Sequence, residues 1–232
     1  MSLPLSEILY TVDEYLQMER ASDERHEYFD GYVYAMAGES DAHGDICVNL
    51  GGLIHAQLRG TDCRGRIANT KVLSGPTPVL PRSRKGMFSY PDFFVVCGKV
   101  EHHDAHEDVI TNPIVIFEVL SDSTEEFDRD LKFQRYDQWN PTLQDYLLIS
   151  QTTPKIEHFT RQADGSWKYR VYRGLKTSLV IESINCRLRL ADLYERVVFP
   201  APKIQLAALS KPSKRAAKTK AAAPASRRRK KL

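Results

Sequence analysis

The chain has 232 residues, 42% of them hydrophobic, which predicts one globular domain with some additional chain. No apolar run approaches the roughly 20 residues of a membrane-spanning helix, and the N-terminal residues do not resemble a signal peptide. The four cysteines (Cys47, Cys63, Cys97 and Cys186) include no CxxC pair, which is typical of reduced thiols rather than of a disulfide or zinc framework. These features predict a cytoplasmic protein and exclude a membrane protein.

The net charge of +3 conceals an uneven distribution. Residues 203–232 contain eleven Lys or Arg and no acid, which leaves 22 basic residues against 30 acidic ones in residues 1–202, a net charge of −8. Residues 203–232 are also of low complexity and lack aromatic side chains, so they cannot bury enough surface to offset the entropy of ordering. We therefore predict a globular domain over 1–202 and a disordered basic tail over 203–232.

The hydrophobic pattern predicts alternating helices and strands along the domain. Helices are predicted over 6–19, over 41–58, and from about Thr124 to Trp139, the last with Ser123 and Glu126 as a capping box. The predicted strands and loops are a hairpin over 26–36 around Asp30-Gly31, a strand over 66–73, a loop over 74–89, buried strands over 90–97, 113–120 and 145–150, and a later meander with one wet face.

Two carboxylates stand in the predicted buried strands. Asp92 begins the run YPDFFVVC, and Glu118 lies within IVIFEVL. A buried carboxylate needs a cation, hydrogen bonds or a proton, because leaving it charged and alone costs several kcal/mol. If the two strands are neighbours, both acids meet at one edge of the sheet, where a pair of carboxylates suits Mg²⁺ or Mn²⁺.

Lys132 follows on the next predicted helix, where Asp128, Lys132 and Tyr136 recur every four residues and share one face. If that face packs over the strand, the ammonium would help to activate water and stabilise a developing negative charge. Glu27, in the hairpin, and His43, at the start of a helix, are further candidates for the same edge.

Each of these residues also has a structural interpretation. Glu118 could be a core acid satisfied by the backbone or an arginine, and Asp92 could cap a strand. Asp128 and Lys132 could form an exposed ion pair worth about 0.3–0.5 kcal/mol, and Tyr136 could serve packing alone. His43 could be an ordinary residue at the start of a helix, and Glu27 could contact a neighbouring basic group within the hairpin. His102, His103 and His106 could lie in a solvated loop rather than bind zinc.

The ordered set of motifs resembles the Uma2 family of predicted restriction endonucleases, a branch of the PD-(D/E)xK nuclease superfamily. The resemblance covers roughly residues 10–195. The residues that carry it are Glu27 with Asp30-Gly31, His43, Tyr90-Pro91-Asp92, Glu118-Val119-Leu120-Ser121 with Ser123-Thr124, and then Asp128, Lys132 and Tyr136.

The resemblance implies an α/β (α+β) fold with a restriction-endonuclease-like core, in which helices flank a mixed central sheet with additional β-hairpins. It implies that Asp92 and Glu118 bind Mg²⁺ (or Mn²⁺), with Glu27 as a further ligand. The superfamily places its lysine two residues after the glutamate, where this chain has Leu120. Lys132 is similar to the Uma2 pattern, in which that lysine has moved to the following helix.

The expected function is therefore a Mg²⁺-dependent endonuclease that hydrolyses DNA phosphodiester bonds. The alternative is a catalytically inactive, DNA-associated or regulatory protein that retains the fold, which Leu120 keeps open; a third is action on RNA. The resemblance implies a bacterial protein and leaves open a homodimer and an association with the nucleoid. The tail residues expected to bind nucleic acid are Lys211, Lys214, Arg215, Lys218, Lys220, Arg227, Arg228, Arg229, Lys230 and Lys231.

Overall fold

The computed structural model describes residues 4, 8–36, 38–80, 82–121 and 124–201. The helices are α1 (Val12–Ala21), α2 (Asp41–Leu58), α3 (Glu125–Phe127), α4 (Phe133–Trp139) and α5 (Leu190–Leu193), with a π turn over Asp128–Lys132 and a 3-10 turn over Glu182–Ile184. The strands are β1 (His26–Phe29), β2 (Tyr32–Ala35), β3 (Cys63–Ile67), β4 (Lys71–Ser74), β5 (Met87–Ser89), β6 (Phe93–Cys97), β7 (Val109–Ile110), β8 (Val115–Leu120), β9 (Asp145–Ser150), β10 (Lys155–Arg161), β11 (Trp167–Arg173), β12 (Ser178–Ile181) and β13 (Cys186–Arg189).

The central sheet has six strands in the order β11-β10-β9-β8-β6-β3. Its pairs are antiparallel except β8 and β9, which are parallel and joined by the segment that contains α3, the π turn and α4. The β8 and β9 strands are buried at every position, as expected for strands covered on both faces. The sheet is therefore mixed and flanked by helices, which confirms the predicted fold class.

The two faces of the central sheet pack against different elements. On one face α2, α5 and the β12-β13 pair contribute to a core with the odd-numbered residues of β8, such as Phe117. On the other face Tyr136 of α4, together with Val72 and Met87 of the second sheet, packs against even-numbered residues such as Ile116. This alternation follows from the two-residue period of a strand, and it decides which side chains face α4.

A second sheet of five strands runs in the order β2-β1-β5-β4-β7. The helix α1 packs on it through Val12, Tyr15 and Leu16, which share a core with Tyr28 and Phe88 of the sheet. The sheet brings the β1-β2 hairpin and β5 beside the helical segment that follows β8, as the contact of Phe29 with Phe127 shows.

Several predicted elements are confirmed. The helix over 41–58 is α2, the strand over 145–150 is β9, and the hairpin over 26–36 is β1-β2. The hairpin turn uses Asp30 and Gly31, both at positive φ, 45° and 101°. That conformation is the one that an Asp-Gly dipeptide favours in a two-residue hairpin.

Four predicted boundaries are wrong. The first helix begins at Val12 rather than at residue 6, because Thr11 and Glu14 form a capping box there. The strand over 66–73 is two strands, β3 and β4, and the loop over 74–89 contains β5. The last run of the expected meander leaves the central sheet, since β12 pairs with β13 alone.

The helix predicted from Thr124 to Trp139 is present but not regular. A π turn over Asp128–Lys132 lies between two α-helical segments. Ser123 of the predicted capping box lies outside the described residues. The helix α3 begins at Glu125, and its N-cap, Thr124, makes no capping hydrogen bond with its side chain. The basic tail over 203–232 also lies outside the described residues.

The prediction that all the cysteines are reduced is wrong for two of them. Cys63 on β3 and Cys97 on β6 are cross-strand partners and form a disulfide across a sequence separation of 34 residues. Cys47 and Cys186 are free. Within the described ranges, no helix combines the length and the apolar character needed to cross a membrane.

Candidate active site beside the central strands

The two strand-borne acids come from neighbouring strands. β6 and β8 pair antiparallel with Phe93 opposite Phe117, so Asp92 and Glu118 are the next residues in register. The Asp92 carboxylate lies against β8, where its Oδ2 accepts a hydrogen bond of 2.6 Å from the backbone N–H of Val119. The strands that precede and carry the two acids are therefore neighbours in the sheet, as the sequence analysis assumed.

Glu118 is a charged residue on an otherwise apolar strand. Ile116 and Leu120, two residues before and after it, belong to the core that faces α4. The Glu118 side chain therefore lies on the same face of β8 as these two residues, and it is 5% exposed. A carboxylate in this position must be compensated by groups from the helical segment.

Lys132 supplies that compensation. Its Nζ lies 3.0 Å from Oε1 of Glu118, 3.3 Å from Oε1 of Glu27 and 3.4 Å from Oδ1 of Asp128. The Lys132 and Asp128 side chains are each 5% exposed, so the alternative of an exposed ion pair is wrong. We refer to Glu27, Asp92, Glu118, Asp128 and Lys132 as the central cluster.

Tyr136, on α4, completes the buried side of the cluster. Its hydroxyl donates to Oε1 of Glu118 at 3.1 Å and lies 2.9 Å from the hydroxyl of Ser89. Burial, followed by the charge of Glu118, raises the pKa of Tyr136 well above its usual range, so the phenol remains a donor. Tyr136 therefore fixes the Glu118 carboxylate as well as filling the core.

Glu27 approaches from the second sheet. Its Oε1 accepts a hydrogen bond of 3.0 Å from the backbone N–H of Tyr90 and also contacts Lys132. Its side chain is 18% exposed and that of Asp92 is 15% exposed, whereas Glu118 is nearly inaccessible. The cluster is thus reached from solvent on the side of Glu27 and Asp92.

His43 contacts the cluster through Asp92. Its Nε2 lies 3.3 Å from Oδ1 of Asp92 at the N-terminal end of α2. Burial alone would lower the pKa of His43, but hydrogen bonds with Asp92 and with Cys47 raise it to about 11. His43 is therefore an imidazolium paired with Asp92 rather than an ordinary helix residue.

Acidic groups outnumber basic ones in the central cluster. Burial raises the pKa of Glu118 well above its usual range; the Lys132 ammonium opposes this shift, and the carboxylates of Asp128, Asp92 and Glu27 add to it. Burial would lower the pKa of Lys132, but the charges of Glu118, Glu27, Tyr136 and Asp128 together raise it, so the ammonium stays charged. One buried cation thus contacts three carboxylates, and the fourth, Asp92, pairs with His43.

This donor set fits a hard divalent cation. Mg²⁺ and Mn²⁺ prefer carboxylate oxygens. Glu27 and Glu118 both contact the Lys132 ammonium, and Asp92 lies against the adjoining residue Val119. Among the described residues these three do not form a group whose ligand atoms all lie within 4.8 Å of one another, so binding one ion through all three requires their side chains to move closer. The excess of negative charge would be relieved by such an ion. The arrangement could therefore hold a cation beside a lysine, although in this state the Glu118 and Asp92 carboxylates contact Lys132 and His43.

The three loop histidines do not take part. His102 bridges to Ile110, His103 stacks edge-on against Phe88, and His106 is exposed. In the part of the chain that the structure describes, they form no cluster of metal-ligand side chains. The interpretation of this segment as a loop outside the site is consistent with their positions.

Two residues near the site were missed in the sequence. Glu39 and Cys47 lie with His43 in a group whose ligand-type atoms are all within 4.8 Å of one another. The spacing of four residues between His43 and Cys47 was the available signal, because residues four apart on α2 share a helical face, whereas Glu39 precedes the helix. A second such group over the described ranges is Asp62, Cys63 and Cys97.

Comparison with known proteins supports this picture of the fold. The model of the Uma2 family, described as "Putative restriction endonuclease", matches residues 12–191. A crystal structure of "a putative nuclease belonging to DUF820" from Anabaena variabilis superimposes with a TM-score of 0.63 at 14% identity, covering 82% of this chain and 99% of that one. At this identity the likeness concerns the fold.

Two relatives from Synechocystis sp. match over most of their length. "Uncharacterized protein slr1290" is 36% identical over 187 residues, which cover 81% of this chain and 92% of the relative. "Uncharacterized protein sll1609" is 30% identical over 159 residues, or 68% of this chain and 85% of the relative. With the family model spanning residues 12–191 and these relatives beside it, the chain belongs to the Uma2 family.

Proposed function

We propose that this protein is a Mg²⁺-dependent endonuclease that hydrolyses phosphodiester bonds in DNA, with Asp92 and Glu118 as metal ligands and Glu27 as a third. The observation that carries the proposal is the position of the Lys132 ammonium, 3.0 Å from Glu118 and 3.3 Å from Glu27. Membership of a family described as restriction endonucleases supports the same class of reaction.

The excess of negative charge in the central cluster supports the binding of a cation there, and the bound cation in turn supports the binding of a phosphate. The acidic cluster alone would repel a phosphodiester, so a divalent ion held by Asp92 and Glu118 is what would make the site attractive to one. When bound, that ion supplies positive charge to the phosphate oxygens.

The side chains of the chain have separate roles in this proposal. Lys132 stabilises the negative charge that develops on the phosphate in the transition state, because its ammonium is buried and already oriented. Tyr136 positions the Glu118 carboxylate, and His43 positions that of Asp92. Asp128 holds the ammonium of Lys132 from the preceding helical turn.

The test is nicking of supercoiled plasmid DNA in Mg²⁺ by the wild type and by Asp92→Asn, Glu118→Gln and Lys132→Met. Each substitution should lower the cleavage rate by roughly 10²–10³, a typical loss when one group that stabilises the transition state is removed. Activity that all three variants retain would come from another site or another protein, and would overturn the assignment.

The matched control is Lys155→Met, the same change of residue type as Lys132→Met. Lys155 pairs with Glu157 at 2.9 Å on β10, in the same sheet but outside the central cluster. Glu157 itself is left unchanged because it also contacts Arg129 of the π turn. Lys155→Met should cleave at the wild-type rate. A parallel set of single-stranded DNA, duplex DNA and RNA substrates would separate a deoxyribonuclease from an enzyme that acts on RNA.

The alternative is a binding protein that has kept the fold without turnover. Leu120 favours it, since the position two residues after Glu118 holds a buried apolar side chain, 4% exposed. The two hypotheses differ in their need for metal. A nuclease should show a higher melting temperature in Mn²⁺ that is lost in Asp92→Asn, whereas a metal-independent DNA-binding protein should not.

The basic tail is proposed to add sequence-independent affinity for DNA. Neutralising phosphates releases condensed counterions, so the logarithm of affinity falls with log salt by about 0.9 per phosphate contacted. Deletion of 203–232 should weaken DNA binding at low salt and flatten the salt dependence. Equal affinity of the two forms at low salt would contradict this part of the proposal.

A further inference from the structure

A second group of metal-ligand side chains lies on the outer side of His43. Nδ1 of His43 is 3.1 Å from Oε2 of Glu39 and 3.5 Å from Sγ of Cys47. All three ligand atoms lie within 4.8 Å of one another. The central cluster uses the other ring nitrogen, Nε2, which leaves Nδ1 to this group.

The start of α2 explains how the three side chains meet. His43 and Cys47 are four residues apart and share a helical face. Glu39 precedes the N-cap Ser40 and so lies outside the helix. Its carboxylate folds back against the first turn, where its Oε1 lies 3.5 Å from where a Cβ on Gly44 would stand.

The distances match those of a tetrahedral zinc site. With Zn–N of about 2.0–2.1 Å and Zn–S of about 2.3 Å, tetrahedral ligands place nitrogen and sulfur about 3.5 Å apart. That is the separation of the His43 and Cys47 atoms. A carboxylate, an imidazole and a thiolate form a ligand set with borderline-soft character, which favours Zn²⁺ over Mg²⁺.

We propose that Glu39, His43 and Cys47 form a binding site for a thiophilic divalent cation of the Zn²⁺ class, with a fourth position open to solvent. Binding displaces the proton on Nδ1 of His43 and the proton of the Cys47 thiol into solvent. Glu39 has a side chain that is 63% exposed, so the site can be reached from outside.

Asp92 supports the site from behind. A metal-bound histidine commonly donates its other N–H to a carboxylate, which fixes the ring and strengthens the ligand. Nε2 of His43 has that partner in Oδ1 of Asp92 at 3.3 Å. The site therefore shares one residue with the central cluster but binds its ion with different atoms.

The other ligand group over the described ranges does not make an equivalent site. Its sulfur atoms belong to Cys63 and Cys97, which are bonded to each other in the disulfide. Only reduction of the disulfide would make these sulfur atoms available to a metal, so an experiment on metal binding needs a variant that lacks both cysteines. Cys186, the other free cysteine, is buried at another place in the fold.

The test is titration of the metal-free full chain with Co²⁺, a spectroscopic substitute for Zn²⁺, followed by displacement with Zn²⁺. The wild type should show a thiolate-to-cobalt charge-transfer band that saturates with one equivalent of sulfur-bound Co²⁺, whatever Co²⁺ the central carboxylates also take up, and that Zn²⁺ abolishes. Cys47→Ser should remove the band, and Glu39→Gln should weaken binding about tenfold or more. Asp92→Asn should also weaken it, by roughly 10–100-fold, without removing the band.

The controls are Cys186→Ser and the double variant Cys63→Ser/Cys97→Ser, both of which should keep the band and its affinity. A band that survives Cys47→Ser, or that disappears with Cys63 and Cys97, would overturn the proposal. The absence of any band in the wild type would overturn it as well. The band requires a sulfur ligand, which the central cluster lacks, so its presence or absence is independent of the nuclease proposal.

Discussion

Two of the lysines that the structure describes are buried beside acids, Lys71 and Lys132, and their surroundings differ in charge balance. Lys132 belongs to the central cluster, in which three carboxylates contact one ammonium and the charge of a fourth, Asp92, acts on Glu118. Lys71 belongs to an outer cluster on the second sheet, formed by Glu19, Arg20, His26, Lys71, Tyr90, Asp104 and Asp108.

In the outer cluster three carboxylates face two cations, Arg20 and Lys71, together with the ring of His26, which lies 2.9 Å from Glu19. Lys71 pairs with Asp108 at 2.9 Å, and Arg20 contacts Asp108 at 2.7 Å and Asp104 at 2.8 Å. Burial would raise the pKa of Asp108, but hydrogen bonds from Arg20 and Lys71 hold it well below its ordinary value.

The central cluster is the reverse case, since burial and neighbouring acids raise the pKa of Glu118. A network with equal numbers of positive and negative groups stabilises the fold. A buried group of residues with an excess of negative charge instead favours the binding of a cation. The two clusters meet at Tyr90, whose hydroxyl donates to Glu19 and whose backbone N–H donates to Glu27.

The largest expected effect is that of Lys132→Met on stability. It leaves buried carboxylates without their cation, which costs about 3–5 kcal/mol. Lys71→Met should cost less because Asp108 keeps Arg20. Saturating Mn²⁺ should raise the melting temperature of Lys132→Met more than that of Lys71→Met; equal shifts would mean that the central cluster does not bind the ion.

Asp108→Asn should destabilise the protein by about 2 kcal/mol at neutral pH, since it removes a charged hydrogen-bond acceptor. The pKa of Asp108 is lower in the folded state than its ordinary value of 3.8. Its contribution is therefore complete above that value and is lost as the pH falls below it. When urea unfolding is measured between pH 3 and pH 7, the free energy of unfolding should fall less steeply towards acid pH in the variant than in the wild type. An equally steep fall in both proteins would contradict this account.

Tyr90→Phe should cost about 1 kcal/mol, the net value of a typical hydrogen bond. It removes the contacts of the hydroxyl with Glu19 and Lys71 but keeps the backbone donor to Glu27. Plasmid nicking by the variant should stay within about threefold of the wild type, a change of less than about 1 kcal/mol in the activation barrier, because the backbone donor to Glu27 is kept. A loss as large as that of Lys132→Met would show that the two clusters act as one.

The smallest expected change is the stability of Glu118→Gln. The amide keeps the shape of the side chain and removes a carboxylate whose pKa burial has raised, so the free energy of unfolding should change by less than about 1 kcal/mol. Thermal unfolding in a metal-free buffer would measure this directly. Destabilisation as large as that of Asp108→Asn would mean that Glu118 is a structural acid.

Sequence patterns predicted the elements whose signals are local. The helix α2 has Ser40 as its N-cap and apolar residues at helical spacing, and the first hairpin has Asp30-Gly31. The strands β8 and β9 were evident because they are apolar throughout. The acids Asp92 and Glu118 attracted attention because a charge in such runs requires an explanation.

The features that sequence did not predict depend on long-range pairing. The disulfide arises because β3 and β6 pair with Cys63 opposite Cys97, a register that no local pattern specifies. His43 was predicted to lie at the same edge of the sheet as Asp92, but the direct contact of their side chains was not predicted, because it joins a helix to a residue 49 positions later. The strand β5 is only three residues long, too short for its alternation to be recognised.

The π turn over Asp128–Lys132 makes the position of the lysine sensitive to a single residue of chain length. An α-helix advances by about 100° per residue, so removal of the exposed Leu131 would rotate Asp128 away from Lys132 and Tyr136 while leaving every strand intact. One insertion or deletion in a helix can therefore bring a lysine into contact with the carboxylates or remove it from them. For a lysine on the strand, the same change would require a shift in the register of the sheet.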